Sequence, residues 1–102
     1  MTEMTVHLEH DAELEMLEAA RHYEDQQSGL GSDFLDEVEF GLEQIRAGSE
    51  RFGFYRRSKF VRSVRLERFP YRLLFVLEAE LATVVAVMHL HRRPDYWKRR
   101  TK

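Results

Sequence analysis

The stretch HLHRRPDYWKRR, His89 to Arg100, packs two histidines, five cations, a tyrosine and a tryptophan into twelve residues. Imidazole and phenol move protons, and guanidinium groups hold phosphate. Cleavage of RNA through its own 2′-hydroxyl needs these functions: a group to take that proton, cations for the phosphorane, and a donor to the leaving oxygen. In such a reading His89 or Tyr96 handles protons. Arg65, Arg72 and Arg92 hold phosphate, with Arg62 beside them, and Tyr55 or Trp97 stacks on a base. The same residues also admit a structural reading, in which His89 bonds within a sheet while Tyr96 and Trp97 bury large rings to fasten the chain's end.

Other chemistries fit less well. His89 and His91, at i and i+2, could both face one zinc, but a site needs three or four ligands and only scattered His7, His10 and His22 remain. No metal or other cofactor is expected. Gly53 permits a bend in the basic loop RFGFYRRSKF, yet no phosphate-loop pattern follows it. No Ser-His-Asp set or paired-carboxylate signature stands out.

The elements that must position these residues follow from periodicity. TVHLEH alternates and predicts a short strand. Asp11 is a candidate N-cap for a first helix whose inner face carries Ala12, Met16, Ala19, Ala20, Tyr23 and Gln27 at 100° per residue. QSGLGS interrupts it, with Ser28 a candidate cap for a second helix, whose stripe is Phe34, Val38, Gly41, Leu42 and Ile45. Two helices joined so tightly predict an antiparallel hairpin. Leu14, Leu17 and Phe40 fall off these stripes, where they would receive an amphipathic partner helix or pack on the loop. After the loop the period becomes two: VRSVRLERF, YRLLFVLE and TVVAVMHLH predict three strands joined by short reversals, hence antiparallel. The fold expected is α+β, β-α-α-β-β-β, an antiparallel sheet packed against a helical hairpin, with residues 1–102 as one domain. Period two also puts His89 on the face of Val85 and Val87.

Composition narrows the classes. The chain has 102 residues, no cysteine and a net charge of −2, so disulfide frameworks and thiolate metal sites are excluded. No apolar run approaches the ~20 residues of a membrane span, and MTEMTVHLEHD lacks a leader pattern, so a cytoplasmic, membrane-free protein is expected. The small net charge conceals a division. Residues 1–50 carry two arginines against fourteen acids, a net of −12, whereas residues 51–102 carry fourteen cations against four acids, a net of +10. Blocks of one sign steer charged partners, and cations interleaved with aromatics suit an RNA surface.

Two phrases carry a resemblance. LERFPYRLLF (66–75) matches LxRFPYxxxF/Y, and the terminal stretch matches HxxRxPxYWxxR; with GLGSDFLDEV at the second helix, the chain resembles the RelE/ParE family of bacterial type II toxins along nearly its whole length. The resemblance implies the shared fold and neutralisation by a cognate antitoxin, with a toxin–antitoxin hetero-oligomer. It also implies one of two targets: DNA gyrase for ParE-like members, or messenger RNA on the ribosome for RelE-like members, the latter making the chain an endoribonuclease. RelE-like nucleases tend to place lysines where this loop has Arg56, Arg57 and only Lys59, which favours the ParE-like, gyrase-inhibiting expectation. A single concave basic patch uniting Arg65, Arg72, His89 and Arg92 is expected in either case.

Overall fold

Two glycines set the geometry between the helices of the computed structural model, which describes residues 4–101. The first helix, α1 (His10–Gln26), and the second, α2 (Leu30–Gly48), follow a short strand, β1 (Thr5–Leu8). Gly29, between the helices, has φ +90°, a conformation that side chains disfavour. A Cβ on Gly31 would lie 2.5 Å from the Ala20 carbonyl oxygen, so α2 reaches α1 closely only because that side chain is missing. Neither predicted cap is used. Glu9 caps α1 by accepting the Asp11 N–H at 3.1 Å. The Glu24 carboxylate reaches across the turn to accept the N–H groups of Gly29 (2.9 Å) and Gly31 (3.0 Å), so a residue of α1 does at the start of α2 what Ser28 was expected to do.

A 3-10 turn (Ser49–Arg51) leads to the basic loop and three strands, β2 (Val61–Arg65), β3 (Tyr71–Glu78) and β4 (Leu81–His89), and a 3-10 turn at Lys98–Thr101 ends the described tail. The sheet order is β1-β4-β3-β2. β2–β3 and β3–β4 are antiparallel, as their short connections require, whereas β1 pairs with β4 in parallel, so the sheet is mixed. β1 is separated from β4 by the helical hairpin and two strands, and no short turn dictates its direction.

The stripes of both helices bury as expected: Ala12, Ala19, Ala20, Phe34, Val38 and Ile45 pack on the sheet with Val64, Leu73, Phe75, Val84 and Val87. Gln27 is the exception, because it lies past the last turn of α1 and is exposed. Tyr23, Phe34, Phe69 and Tyr71 form a cluster of tilted and edge-on aromatic rings at the hairpin's turn, with centroids 4.9–6.3 Å apart.

The other sheet face is apolar too. Val61, Leu74, Val85, Ala86 and Met88 are covered there by Trp97 from the tail and Tyr55 from the loop. One irregularity decides which residues reach which face. Leu74 pairs with Ala86 and Phe75 with Val84, so Val85 is a bulge with no partner on β3. The extra residue reverses the alternation along β4: Ala82 and Val84 face the helices before it, Val87 after it. Val85 turns to the tail side, and the expectation that it shares a face with Val87 and His89 fails at this residue. Among the described residues no helix is long and apolar enough to cross a membrane.

Candidate functional site

The tail is fastened by packing and by charge. Trp97 is 4% exposed, its indole N–H donates to the Pro94 carbonyl at 2.7 Å, and its ring meets Tyr55 edge-on at 6.1 Å. The pair read from sequence as stacking or docking residues thus forms one contact, in which Trp97 is too buried to stack on a base. Beyond it, Arg100 crosses to α1. Its Nη1 and Nη2 lie 3.1 and 3.2 Å from the two oxygens of Glu15, and its Nε lies 3.6 Å from Asp11.

This pair also closes an edge of the sheet. β1 runs alongside β4 only as far as Val84, leaving the remainder of β4 unflanked. There Arg100 donates to the Val85 carbonyl at 3.0 Å, and Glu15 accepts the Val87 N–H at 2.9 Å. Side chains stand in for the missing strand, satisfying groups that would otherwise be buried without partners. Sequence reasoning missed both residues. Glu15 is one of fourteen acids in its half and carries no local signal, and Arg100 looked like one more cation of a basic tail.

His89 lies beside this edge, on the helix side. It pairs with Tyr71 across the strands, the rings 5.0 Å apart, and lines a notch of about 260 Å³ with Glu15, Glu18, His22, Tyr71 and Arg92. Its Nδ1 accepts the His91 N–H at 3.0 Å. In the neutral ring the proton therefore sits on Nε2, and neither nitrogen is a free acceptor. Burial, and next the neighbouring His91, lower its pKa, consistent with a ring held neutral. Tyr71 is pushed up to about 12, chiefly by burial and then by Tyr23, Glu15 and Glu18. Among the described residues no group of three or more histidines and carboxylates is arranged to hold a metal ion.

Tyr96 sits between Arg92, whose guanidinium carbon is 3.9 Å from the ring centroid, and Arg100 at 5.1 Å. Arg92 therefore covers the phenol face instead of pairing with Asp95, which lies 3.9 Å from Lys98. The Tyr96 hydroxyl is buried and meets no hydrogen-bond partner in good geometry among the described residues. Burial first, then the nearby Glu15, raises its pKa far above the usual phenol value, against the pull of Arg100 and Arg92.

The remaining arginines lie elsewhere. Arg65 and Arg72 are cross-strand partners on the tail side of the sheet, since Arg72 also pairs with Met88 and alternates with Leu73. Arg65 donates to the carbonyls of Leu66 (2.6 Å) and Phe69 (2.9 Å), closing its own hairpin, while Arg72 donates to Ser63 Oγ at 3.0 Å. Arg62 alternates to the helix side, where it bonds the Phe52 carbonyl at 2.6 Å and lies over Phe54 at 4.3 Å. The four residues expected in one concave patch are thus divided: His89 and Arg92 meet in the notch, Arg65 and Arg72 share the opposite face. The β4 bulge and the wrap of the tail separate them.

The fold has a counterpart among solved structures. A chain of the chromosomal ParDE TA system from P. aeruginosa superposes with a TM-score of 0.74 at 14% identity, over 86% of this chain and 97% of that one. At that identity the likeness establishes the architecture, two helices on a four-stranded sheet, which is the one the sequence resemblance implied. No protein-family model matches the chain, and no curated protein matches it.

Proposed function

We propose that this chain is the toxin of a type II toxin–antitoxin pair, of the ParE-like kind, which binds and inhibits an essential target, DNA gyrase, rather than cutting RNA. The shared architecture with the ParDE system supports the toxin–antitoxin role. The choice of kind rests on one observation: the proton-transfer groups are not poised for transfer. His89 has Nδ1 occupied by the His91 N–H, and the Tyr96 hydroxyl is buried under Arg92 and Arg100. A general base needs an available lone pair within reach of the 2′-hydroxyl, and a general acid needs an accessible proton. A target-binding toxin needs neither.

The antitoxin is the expected partner. Leu14, Leu17 and Phe40 are 51%, 49% and 59% exposed on the helical hairpin, among the acids of the first half. An amphipathic helix with basic flanks would cover them. The test uses purified chain in two reactions, gyrase supercoiling of plasmid DNA and messenger RNA on translating ribosomes. Loss of supercoiling with intact transcripts is expected. Cleaved transcripts that become intact when His89→Ala or Tyr96→Phe is substituted in a folded protein would overturn the reading.

A further inference from the structure

The two charged halves of the chain lie on opposite sides of the sheet. The helical hairpin, with most of the acids, covers one face. Over the other, the loop at 55–60 and the tail at 94–101 enclose a groove of about 1270 Å³. Arg56, Arg57 and Lys59 form one wall, Lys98 belongs to the second, and Tyr55 and Trp97 form the floor. We infer that this groove receives the outer face of α1 from a second copy of the chain, so that free molecules stack head to tail.

The two surfaces match in character. α1 carries six acids against Arg21, and Leu14 and Leu17 are exposed on it beside Glu13 and Glu18. Among the described residues Glu13 and Glu18 enter no ion pair, nor do Arg56, Arg57 and Lys59. Asp95, the one carboxylate in the groove's lining, lies 3.9 Å from Lys98. Phe60, 58% exposed among the loop's cations, adds an apolar contact at the rim. A helix with an apolar stripe between carboxylates suits a groove with an aromatic floor and cationic walls. The loop is also built in advance. Ser58 Oγ accepts the N–H groups of Phe60 (3.2 Å) and Val61 (2.8 Å), the Ser58 N–H donates to the Tyr55 carbonyl (3.0 Å), and Arg56 is held at φ +52°. Little ordering therefore remains to be done on binding.

Topology makes the contact open-ended. The sheet separates hairpin from groove, so a molecule whose groove is filled still presents its own α1. A contact between two different surfaces on opposite sides does not close on a pair. Pairing like surfaces would set acid against acid, or cation against cation, and is disfavoured. The same α1 face is the one an antitoxin helix would cover, so the two contacts exclude each other.

The experiment is sedimentation equilibrium of nuclease-treated, purified chain over a range of concentration and salt. Target and antitoxin are absent, so the outcome is independent of the function proposed above. At low salt the weight-average mass should climb with concentration past two chains of 12.2 kDa, without a plateau there. Near 1 M salt, where the screening length falls to about 3 Å, it should drop towards one chain. L14S/L17S removes the helix face and R57E/K59E the groove wall, so each variant alone should stay monomeric. Mixed in equal amounts they should form pairs and nothing larger, because the intact groove of the first accepts the intact α1 of the second. Unaltered circular dichroism would show both variants folded. Monomers of the unaltered chain at every concentration would overturn the inference and leave both surfaces to other partners. A plateau at the dimer, or a mixture of variants that stays monomeric, would also overturn it. An assembly seen only before nuclease treatment would assign the groove to nucleic acid instead.

Discussion

Arg100 and Glu15, 85 positions apart, meet as a two-pronged ion pair on the unflanked edge of β4, with the side chains only 17% and 14% exposed. Each also holds a backbone group of that edge, the Val85 carbonyl and the Val87 N–H. Helix, strand and tail are tied through four side-chain oxygen and nitrogen atoms. Several expected outcomes depend on this arrangement and its neighbours.

Removing one partner strands the other. Glu15→Ala leaves a guanidinium and an N–H unpaired, and should cost about 3–4 kcal/mol, the lower part of the range for breaking a buried pair. Arg100→Met, which keeps the aliphatic packing, should cost less. The double variant should be less destabilised than the sum, because each change removes the charge that the other leaves unpaired. Urea denaturation of the four proteins measures the coupling, and strict additivity would show that the pair does not form.

His89 links stability to pH. Its folded pKa lies below the ordinary value of 6.5, so the unfolded chain binds the proton more readily. The contribution is complete above pH 6.5 and is lost as pH falls through the folded pKa. His89→Asn supplies an oxygen that can accept the His91 N–H without titrating. The stability difference between the wild type and this variant, followed by denaturation from neutral to mildly acid pH, should shift in the variant's favour on acidification. A difference constant with pH would refute the assignment.

Tyr96→Phe separates two readings of the buried hydroxyl. Deleting an unpaired polar group should leave the melting temperature unchanged or raise it, because an unsatisfied buried hydroxyl costs about 1–3 kcal/mol. The variant should also still arrest growth when expressed without antitoxin. A clear loss of stability would mean that the hydroxyl bonds Glu15; loss of toxicity in a folded protein would return it to a catalytic role.

Gly31→Ala probes the helix contact. The added methyl would lie 2.5 Å from the Ala20 carbonyl oxygen, a backbone atom that cannot swing aside. Helix propensity favours alanine by about 1 kcal/mol, but overpacking of this kind costs about 1–3 kcal/mol. Net destabilisation is expected in thermal melts. A more stable variant would show that the helices separate without penalty.

Local sequence determined the elements and much of the packing. The stripe Phe34, Val38, Gly41, Leu42, Ile45 required a helix with one buried face, and three runs of period two joined by short reversals required antiparallel strands. Those signals depend on neighbours three or four residues apart, or two, and survive without knowledge of the rest of the chain. Exposed Leu14, Leu17 and Phe40 were visible for the same reason, as breaks in a periodic pattern.

The site was decided by the tertiary structure. Val85, a single extra residue in β4, reverses the alternation that period two had assigned, and the strand's own sequence does not mark it as a bulge. Glu24 rather than Ser28 caps α2, and β1 joins β4 in parallel, because both partners arrive from other elements. Arginine identity predicted phosphate holders, yet Arg62 and Arg65 spend their donors on loop carbonyls that only the folded chain places within reach. Periodicity reports which face of an element is apolar; it carries no information about contacts between distant residues. Glu15 and Arg100 meet only after α1, β4 and the tail have packed, and that contact holds the tail beside the notch.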